Sequence, residues 1–267
     1  MSVSRTTKRW TTRMNKSFYD AEPPSLLPRF ARKAGIGGGQ DLAALMQRYP
    51  TLLPPRAKRD ALELGVGAGR VVAWLLKHRR KVGVTAIDQC RKNVQSVRRK
   101  YGRRATILQR NILKLDKLPL FDVVLWMFSG LAEIPVGDRI RAFRAIRKVL
   151  RPGGRLVVDM IVRPSRKHFK GFSGGYFEVK TRRGTLRLHV PTLAEIKHYA
   201  AAANLVFESG KRFESAPNVI RRLAIFRATG LVPAAAADAH VTVVTDGHAD
   251  AQSHADVPFA TGEREHR

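Results

Sequence analysis

The sequence predicts an α/β fold, doubly wound around a mostly parallel sheet of seven strands. Short apolar, β-branched runs alternate with stretches of helical periodicity between residues 60 and 229, a pattern typical of βα units. The run at residues 121–128 is apolar on both faces, as expected for a central strand covered by helices on both sides. Hydrophobic residues make up 44% of the chain, which is enough for a core and excludes disorder throughout.

Four strands and two helices account for the first half of the sheet. We place the strands at residues 61–65, 82–88, 105–109 and 121–128, and the helices at 71–81 and 91–101. Val71, Trp74 and Leu75 recur at helical spacing in the first of these helices. A glycine-rich turn at 65–70 connects it to the first strand.

The second half contains a helix, a fifth strand, a hairpin and a closing pair of strands. The helix at 138–150 ends at Pro152, Gly153 and Gly154, before a strand at 155–161. The segments YFEVKT and TLRLHV predict a small β-hairpin insertion at about 175–190. Thr192 and Glu195 form a capping box that begins a helix to about residue 203, and strands at 206–213 and 222–228 complete the sheet.

The segments outside the sheet differ from it in composition. Residues 1–17 are basic and predicted to be flexible, and residues 18–59 are predicted to form a helical lid with a glycine-rich joint at 35–41. Residues 231–267 form an acidic tail that holds four of the eight histidines and is predicted to be disordered. The globular domain therefore spans residues 60–230.

Composition also bears on the compartment. The chain has one cysteine, Cys90, which excludes an internal disulfide and a cysteine-rich zinc site, and we predict no metal site. No run approaches ~18 apolar residues, so we expect a cytoplasmic protein without membrane contact. An organellar location is the alternative, because the Arg-, Ser- and Thr-rich start of the chain is also typical of a transit peptide.

The segment ALELGVGAGR carries the chemistry. Glu63 precedes Gly65, Gly67 and Gly69 between a predicted strand and a predicted helix. Glycines allow the backbone to turn sharply and approach a ligand, and a helix N-terminus presents the positive end of its dipole. A G-x-G-x-x-G dinucleotide site would need glycine where Arg70 stands, which argues against NAD.

With this loop the chain resembles the class I S-adenosylmethionine-dependent methyltransferases, whose first motif is an acidic residue followed by G-x-G-x-G. The resemblance covers roughly residues 60–228: Asp88 ends the second strand, Asn111 follows the third, FDVVLWMF is the fourth, and VLRPGGRLVVD leads into the fifth. It implies a Rossmann-like sheet whose last strand is antiparallel, and S-adenosyl-L-methionine as the cofactor.

The resemblance also implies which residues bind the cofactor. These are Glu63, Gly65, Gly67, Gly69, Asp88, Asn111, Ile112 and Trp126. Asp88 would accept hydrogen bonds from both ribose hydroxyls, and the glycine loop would pass under the methionine part with Glu63 near its ammonium group. Asn111 stands where the family often has Asp and, with the backbone of Ile112, would contact the adenine. Trp126 would lie beside the transferable methyl group.

No catalytic base is assigned from the sequence. His168 and His189 follow the fifth strand and the hairpin, but a lone histidine is more often structural than catalytic. The (Asp/Asn)-Pro-Pro-aromatic tetrapeptide of many nucleic-acid N-methyltransferases is absent after the fourth strand. Cys90 begins the second helix, away from the strands where a C5-methylating enzyme would need its nucleophile.

The net charge is +29, with +33 on residues 1–231 and −4 on residues 232–267. Eleven Lys and Arg residues lie between positions 77 and 104. Those at 77–81 and 98–104 end helices that lead into strands, and they are therefore expected opposite the ligand crevice. The basic residues expected on the site side are Arg5, Lys8, Arg9, Arg13, Lys16, Arg163, Arg166, Lys167 and Lys170. They are either contacts for an anionic substrate or part of a solvated basic surface.

Two classes of function remain open. The first is a methyltransferase that acts on a small molecule, a protein or RNA by in-line displacement at the cofactor sulfonium. The alternative is a basic nucleic-acid-binding protein whose methyltransferase fold binds the cofactor without turnover. RNA or another polyanion is the partner that the basic surface would select.

Overall fold

The computed structural model describes residues 12–23, 25–163, 175–217 and 219–230. The chain divides into two units, Met1–Val232 and Pro233–Arg267. The predicted acidic tail, residues 1–11, His168 and the basic residues Arg166, Lys167 and Lys170 lie outside the described residues. Within the described ranges, no helix is both long enough and apolar enough to cross a membrane.

Three helices precede the sheet: α1 (Thr12–Ala21), α2 (Leu26–Lys33) and α3 (Gln40–Arg48). α1 begins before residue 18, where the helical segment was predicted to start. The side chains of Asn15 and Phe18 are buried, so α1 is ordered by packing that its basic composition did not reveal. Between α2 and α3, Gly35 and Gly39 have φ of +69° and +85°, which form the predicted joint.

The first half of the sheet follows the predicted βα order. Its elements are β1 (Arg59–Leu64), α4 (Arg70–His78), β2 (Val82–Asp88), α5 (Arg91–Tyr101), β3 (Thr106–Gln109) and β4 (Phe121–Trp126). β1 pairs in parallel with both β2 and β4, and β2 pairs in parallel with β3. The carboxyl ends of these strands therefore meet at one edge of the sheet.

The second half adds the hairpin and closes the sheet. Its elements are α6 (Arg139–Lys148), β5 (Leu150–Arg163), β6 (Tyr176–Thr181), β7 (Gly184–His189), α7 (Leu193–Ala201), β8 (Leu205–Ala216) and β9 (Val219–Ala228). The order of the seven-stranded sheet is β3-β2-β1-β4-β5-β9-β8, and β6 and β7 form a separate two-stranded sheet. β9 is antiparallel to β5 and β8, so the predicted fold class, with its antiparallel last strand and its hairpin, is confirmed.

Several strand boundaries differ from the prediction, and those of β4 and β5 have a clear structural cause. β5 begins at Leu150, which pairs with Phe121, and the register shifts before the next pair, Val123 with Arg155. The Pro-Gly-Gly turn is therefore an irregularity inside a longer strand. β4 ends at Trp126 and not at residue 128, because Phe128 and Ser129 adopt positive φ.

Helices cover both faces of the sheet. On one face, α3, α4 and α5 contribute to a core that includes Leu45, Leu75, Val97 and Leu125. On the other face, α6 and α7 pack Phe143 and Ile196 against strand residues such as Val124 and Phe226. A smaller cluster of Phe18, Leu26 and Leu186 joins the N-terminal helices to the hairpin. This double coverage is the reason that β4 is apolar on both sides.

Candidate active site

The glycine loop joins β1 to α4 at the carboxyl edge of the sheet. The N–H of Gly65 donates to the carbonyl of Ile87 at the end of β2, over 2.9 Å. Gly65, Gly67 and Gly69 have φ of +78°, +51° and +79°, in the left-handed region that favours glycine. At Gly69 an added Cβ would also lie 3.0 Å from both methyl groups of Val97. Glycine is therefore required here by backbone conformation and by close packing on α5.

The carboxylate of Asp88 ends β2 and faces this loop. Oδ2 accepts the N–H of Gly67 at 2.9 Å and the side-chain amide of Asn93 at 3.2 Å, and Oδ1 accepts the N–H of Cys90 at 2.7 Å. Burial raises the pKa of Asp88, and the three donors oppose that rise because they stabilise the charged form. A carboxylate has roughly four lone-pair sites, so Asp88 keeps acceptor capacity for a ligand.

Glu63 lies in β1 just before the loop and is 3% exposed. Its Oε2 has no hydrogen-bond partner among the residues that the structure describes. Burial raises the pKa of Glu63 well above its ordinary value, whereas the nearby Arg70 lowers it. Leaving a buried acceptor unpaired costs free energy, so this oxygen marks a position where a ligand donor fits.

An ion pair joins the glycine loop to the N-terminal helices. Arg70, the first residue of α4, donates from Nη1 and Nη2 to the two carboxylate oxygens of Asp41 in α3, over 2.5 and 2.7 Å. Nη1 also donates to the carbonyl of Ile36 at 3.2 Å. Asp41 is fully buried, and a bidentate pair of this kind is geometrically specific. α3 is thereby fixed against the start of α4.

One cavity of about 660 Å³ lies at this edge, a volume in the usual range of cofactor sites. Its wall contains every residue predicted to bind the cofactor: Glu63, Gly65, Gly67, Gly69, Asp88, Asn111, Ile112 and Trp126. The Oδ1 of Asn111 already accepts the N–H of Leu113 at 2.9 Å, and the ring of Trp126 lies 5.9 Å from that of Phe143. The structure brings the predicted residues together, and their individual roles stay predictions.

The same wall contains two residues that the sequence did not predict, Tyr19 of α1 and Glu133. The hydroxyl of Tyr19 donates to Oε1 of Glu133 over 2.8 Å. Burial raises the pKa of Glu133 to about 7; the hydrogen bond from Tyr19 lowers it and the charge of Asp88 raises it. The two residues are 114 positions apart, so the only local signal was the place of Glu133 in the loop after β4.

A buried ion pair shapes the turn that follows β4. Phe128 and Ser129 have φ of +56° and +59°, which is strained for residues with side chains. Oδ2 of Asp159 accepts the N–H of Phe128 at 2.8 Å, and Arg221 donates to the two oxygens of Asp159 over 3.0 and 2.6 Å. The ion pair lies in the core at 1% and 0% side-chain exposure, and it holds Phe128 in the cavity wall.

Two residues considered from the sequence lie away from the cavity wall as the structure describes it. Nδ1 of His189 is 3.0 Å from Nη1 of Arg139, and burial lowers the pKa of His189. The thiol of Cys90 is buried and donates to Oδ1 of Asp20 at 3.3 Å. Both contacts are structural, and neither residue was predicted to be catalytic.

A family model described as a methyltransferase domain matches residues 61–154. This part of the chain matches a methyltransferase domain. It contains the glycine loop, Asp88 and Trp126, and it ends within β5. The predicted resemblance to class I methyltransferases is confirmed by this match together with the fold.

The methyltransferase domain is similar to several known proteins. Ribosomal RNA small subunit methyltransferase A from Anaeromyxobacter sp. (strain K) is 34% identical over 97 residues, which cover 35% of this chain and 34% of that protein. Two further proteins of the same name from Anaeromyxobacter dehalogenans match to a similar extent. The chain thus matches about a third of the length of these three relatives.

Solved structures extend the similarity beyond that domain. A SAM-dependent methyltransferase from Methanosarcina mazei has a TM-score of 0.55 at 17% identity, and the alignment covers 68% of this chain and 98% of that one. A glycopeptide N-methyltransferase in complex with S-adenosyl-L-homocysteine has a TM-score of 0.54 at 16% identity, covering 69% and 89%. At these identities the similarity shows the fold.

Proposed function

We propose that the protein is an S-adenosyl-L-methionine-dependent methyltransferase. The observation that carries the proposal is the convergence of the glycine loop, Glu63 and Asp88 on one cavity of the methyltransferase domain. This cavity lies where open α/β sheets bind their ligands, outside the carboxyl ends of the strands.

The residues present fit this cofactor. The unpaired Oε2 of Glu63 suits an ammonium group, and Asp88 has acceptor capacity for ribose hydroxyls. Asn111 and Ile112 would hold the adenine, and Trp126 would lie near the sulfonium. When bound, the cofactor supplies a methyl group on positively charged sulfur. For such an in-line displacement, alignment by the protein supplies most of the rate.

The acceptor is a small molecule, a protein or RNA. The relative that methylates ribosomal RNA supports RNA, over the third of its length that matches, and the net charge of +29 supports contact with a polyanion. The same charge favours the second candidate, a nucleic-acid-binding protein that binds the cofactor without turnover. We also propose a cytoplasmic location, on composition alone.

Cofactor binding tests the proposed site directly. We expect the substitution Asp88→Ala to weaken binding of S-adenosyl-L-methionine at least ~10-fold, because two charge-assisted hydrogen bonds to the ribose are removed. Isothermal calorimetry measures the affinity, and thermal unfolding checks that the variant folds. Asp116→Ala, a substitution of an exposed carboxylate, is the matched control. An Asp88→Ala variant that binds as tightly as the wild type would contradict the site.

Methyl transfer separates the two candidate functions. The protein is incubated with fractionated cell extract and cofactor that carries a radiolabelled methyl group. Transfer into material that is sensitive to RNase, to protease or to dialysis identifies the acceptor class. Tight cofactor binding without any transfer would favour the non-catalytic alternative.

A further inference from the structure

The Tyr19–Glu133 pair lies in the wall of the cavity, together with the residues that end and follow β4. Glu133 ends a short 3-10 helix, Gly130–Glu133, which begins four residues after β4. We call this part of the wall the acceptor end. Its residues are Tyr19, Trp126, Met127, Phe128, Glu133 and Ile134.

The acceptor end differs in charge from the rest of the protein. Among these six residues there is one carboxyl group and no lysine or arginine, although the chain carries a net charge of +29. The guanidinium group of Arg221 lies 5.7 Å from the centre of the Phe128 ring, where it is paired with Asp159. The other side chains there are apolar or aromatic. A carboxylate beside aromatic rings is the chemistry that binds an ammonium group, and it disfavours an anionic ligand.

Glu133 is held in place by α1. Tyr19 donates to its Oε1 over 2.8 Å, and the side-chain amide of Asn15 donates to the backbone carbonyl of Glu133 over 3.1 Å. Asn15 is 1% exposed. One carboxylate oxygen of Glu133 therefore has a protein partner, and the backbone of Glu133 is fixed by Asn15. Both contacts hold the carboxyl group in one orientation, as binding of a ligand requires.

The charged and titratable groups around Glu133 come from several elements. Tyr19 of α1 and Asp88 of β2 both act on its pKa, which burial raises to about 7. The neighbouring strands β5 and β7 bring further charged groups, each of which has its own partner. Asp159 of β5 pairs with Arg221 of β9. Arg187 of β7 pairs with Glu178 of β6, and His189 of β7 contacts Arg139 of α6. Because its pKa is about 7, Glu133 changes its charge near neutral pH.

We propose that Glu133 binds the ammonium group of an amine acceptor and takes its proton. This inference rests on the proposed methyltransferase function. The N–H bond of the ammonium group breaks, its electron pair stays on nitrogen as the lone pair needed for attack, and the proton bonds to a carboxylate oxygen of Glu133. Tyr19 is a positioning residue that orients this carboxylate.

Binding of simple probes tests the proposal without a known acceptor. Benzylamine, benzyl alcohol and benzoate are titrated into the wild-type protein by calorimetry, with and without S-adenosyl-L-homocysteine. We expect benzylamine to bind at least ~10-fold more tightly than either control. Its affinity should rise nearly tenfold between pH 6 and pH 8, as Glu133 ionises from about a tenth to about nine tenths.

Three variants assign the effect to the pair. Glu133→Gln should lose the preference for benzylamine and its pH dependence. Tyr19→Phe should keep the preference but move the midpoint to higher pH, because the hydrogen bond that it removes lowers the pKa of Glu133. Glu208→Gln changes a surface carboxylate that pairs with Arg155 and Arg227, and it should behave as the wild type.

Specific results would overturn the proposal. Equal affinity for benzylamine and benzyl alcohol would exclude the amine class, and tighter binding of the alcohol would point to a hydroxyl acceptor. A Glu133→Gln variant with unchanged benzylamine affinity would exclude Glu133. Failure of the proposed function is a separate observation: the protein would not bind S-adenosyl-L-homocysteine, while the titrations without it still report on Glu133.

Discussion

Glu63 is buried beside the glycine loop, and its Oε2 lacks a hydrogen-bond partner among the described residues. Because burial raises its pKa, the folded protein binds this proton more tightly than the unfolded chain does. The contribution of Glu63 to the free energy of unfolding therefore falls as the pH rises above the ordinary glutamate pKa. A bound donor group would reverse part of that loss.

Glu63→Gln tests this coupling between stability and binding. We expect the ligand-free variant to lose less stability than the wild type between pH 5 and pH 8, with a gain of roughly 1–2 kcal/mol at pH 8, and to bind S-adenosyl-L-methionine more weakly. Urea unfolding at both pH values and calorimetry measure these effects, with Glu208→Gln as the control. An equal loss of stability in the variant and the wild type between the two pH values would contradict the argument.

At the scale of elements, Asn15 joins three segments that are far apart in the sequence. Its side-chain amide donates to the carbonyls of Arg187 and Glu133 over 2.8 and 3.1 Å, and its Oδ1 accepts the N–H of Arg187 over 3.1 Å. The side chain of Asn15 thus pairs with the backbone N–H and carbonyl of Arg187 as a residue of a neighbouring strand would. Through Asn15 and Tyr19, α1 also contacts Glu133 in the wall of the cavity.

We expect Asn15→Ala to release α1 and the hairpin locally, because partly buried backbone groups of Arg187 lose their partners. Hydrogen exchange should become faster at residues 12–21 and 184–189, while the core strands β1 and β4 keep their protection. Ser25→Ala is the control, since Ser25 precedes α2 without a side-chain capping bond. Uniform loss of protection in every strand would mean that Asn15 stabilises the whole fold and not this contact.

The same contacts explain which elements were predictable. Apolar runs and the Thr192–Glu195 capping box are local patterns, so the βα order, the hairpin and the start of α7 followed from the sequence. The glycine loop is a local motif, Asp88 was assigned from the family resemblance, and both lie in the wall of one cavity. The start of α1 and the contacts of Glu133 depend on partners more than 100 positions away, which no local pattern encodes.

For the molecule as a whole, part of the positive charge is buried, at Arg139, Arg147 and Arg221. Several guanidinium groups donate to backbone carbonyls: Arg79 to Leu53, Arg98 to Ile107, Arg104 to Leu76, and Arg147 to Thr229. Arg147 is 3% exposed and is not available to a polyanion. Exposed charge persists at the end of α5, where Arg99 and Lys100 lie.

These exposed residues give the polyanion proposal a specific test. If RNA binds the end of α5, its affinity should fall steeply with salt, and Arg99→Gln with Lys100→Gln should weaken binding and reduce the slope by roughly 0.7 for each phosphate that is no longer neutralised. Fluorescence anisotropy with a labelled single-stranded RNA across a KCl series measures both quantities. The matched control is Lys211→Gln with Arg212→Gln, which removes the same charge from exposed positions of β8. Equal effects of the two double variants would show that RNA responds to the overall field and not to a surface on α5, and an affinity that is independent of salt would exclude phosphate contacts altogether.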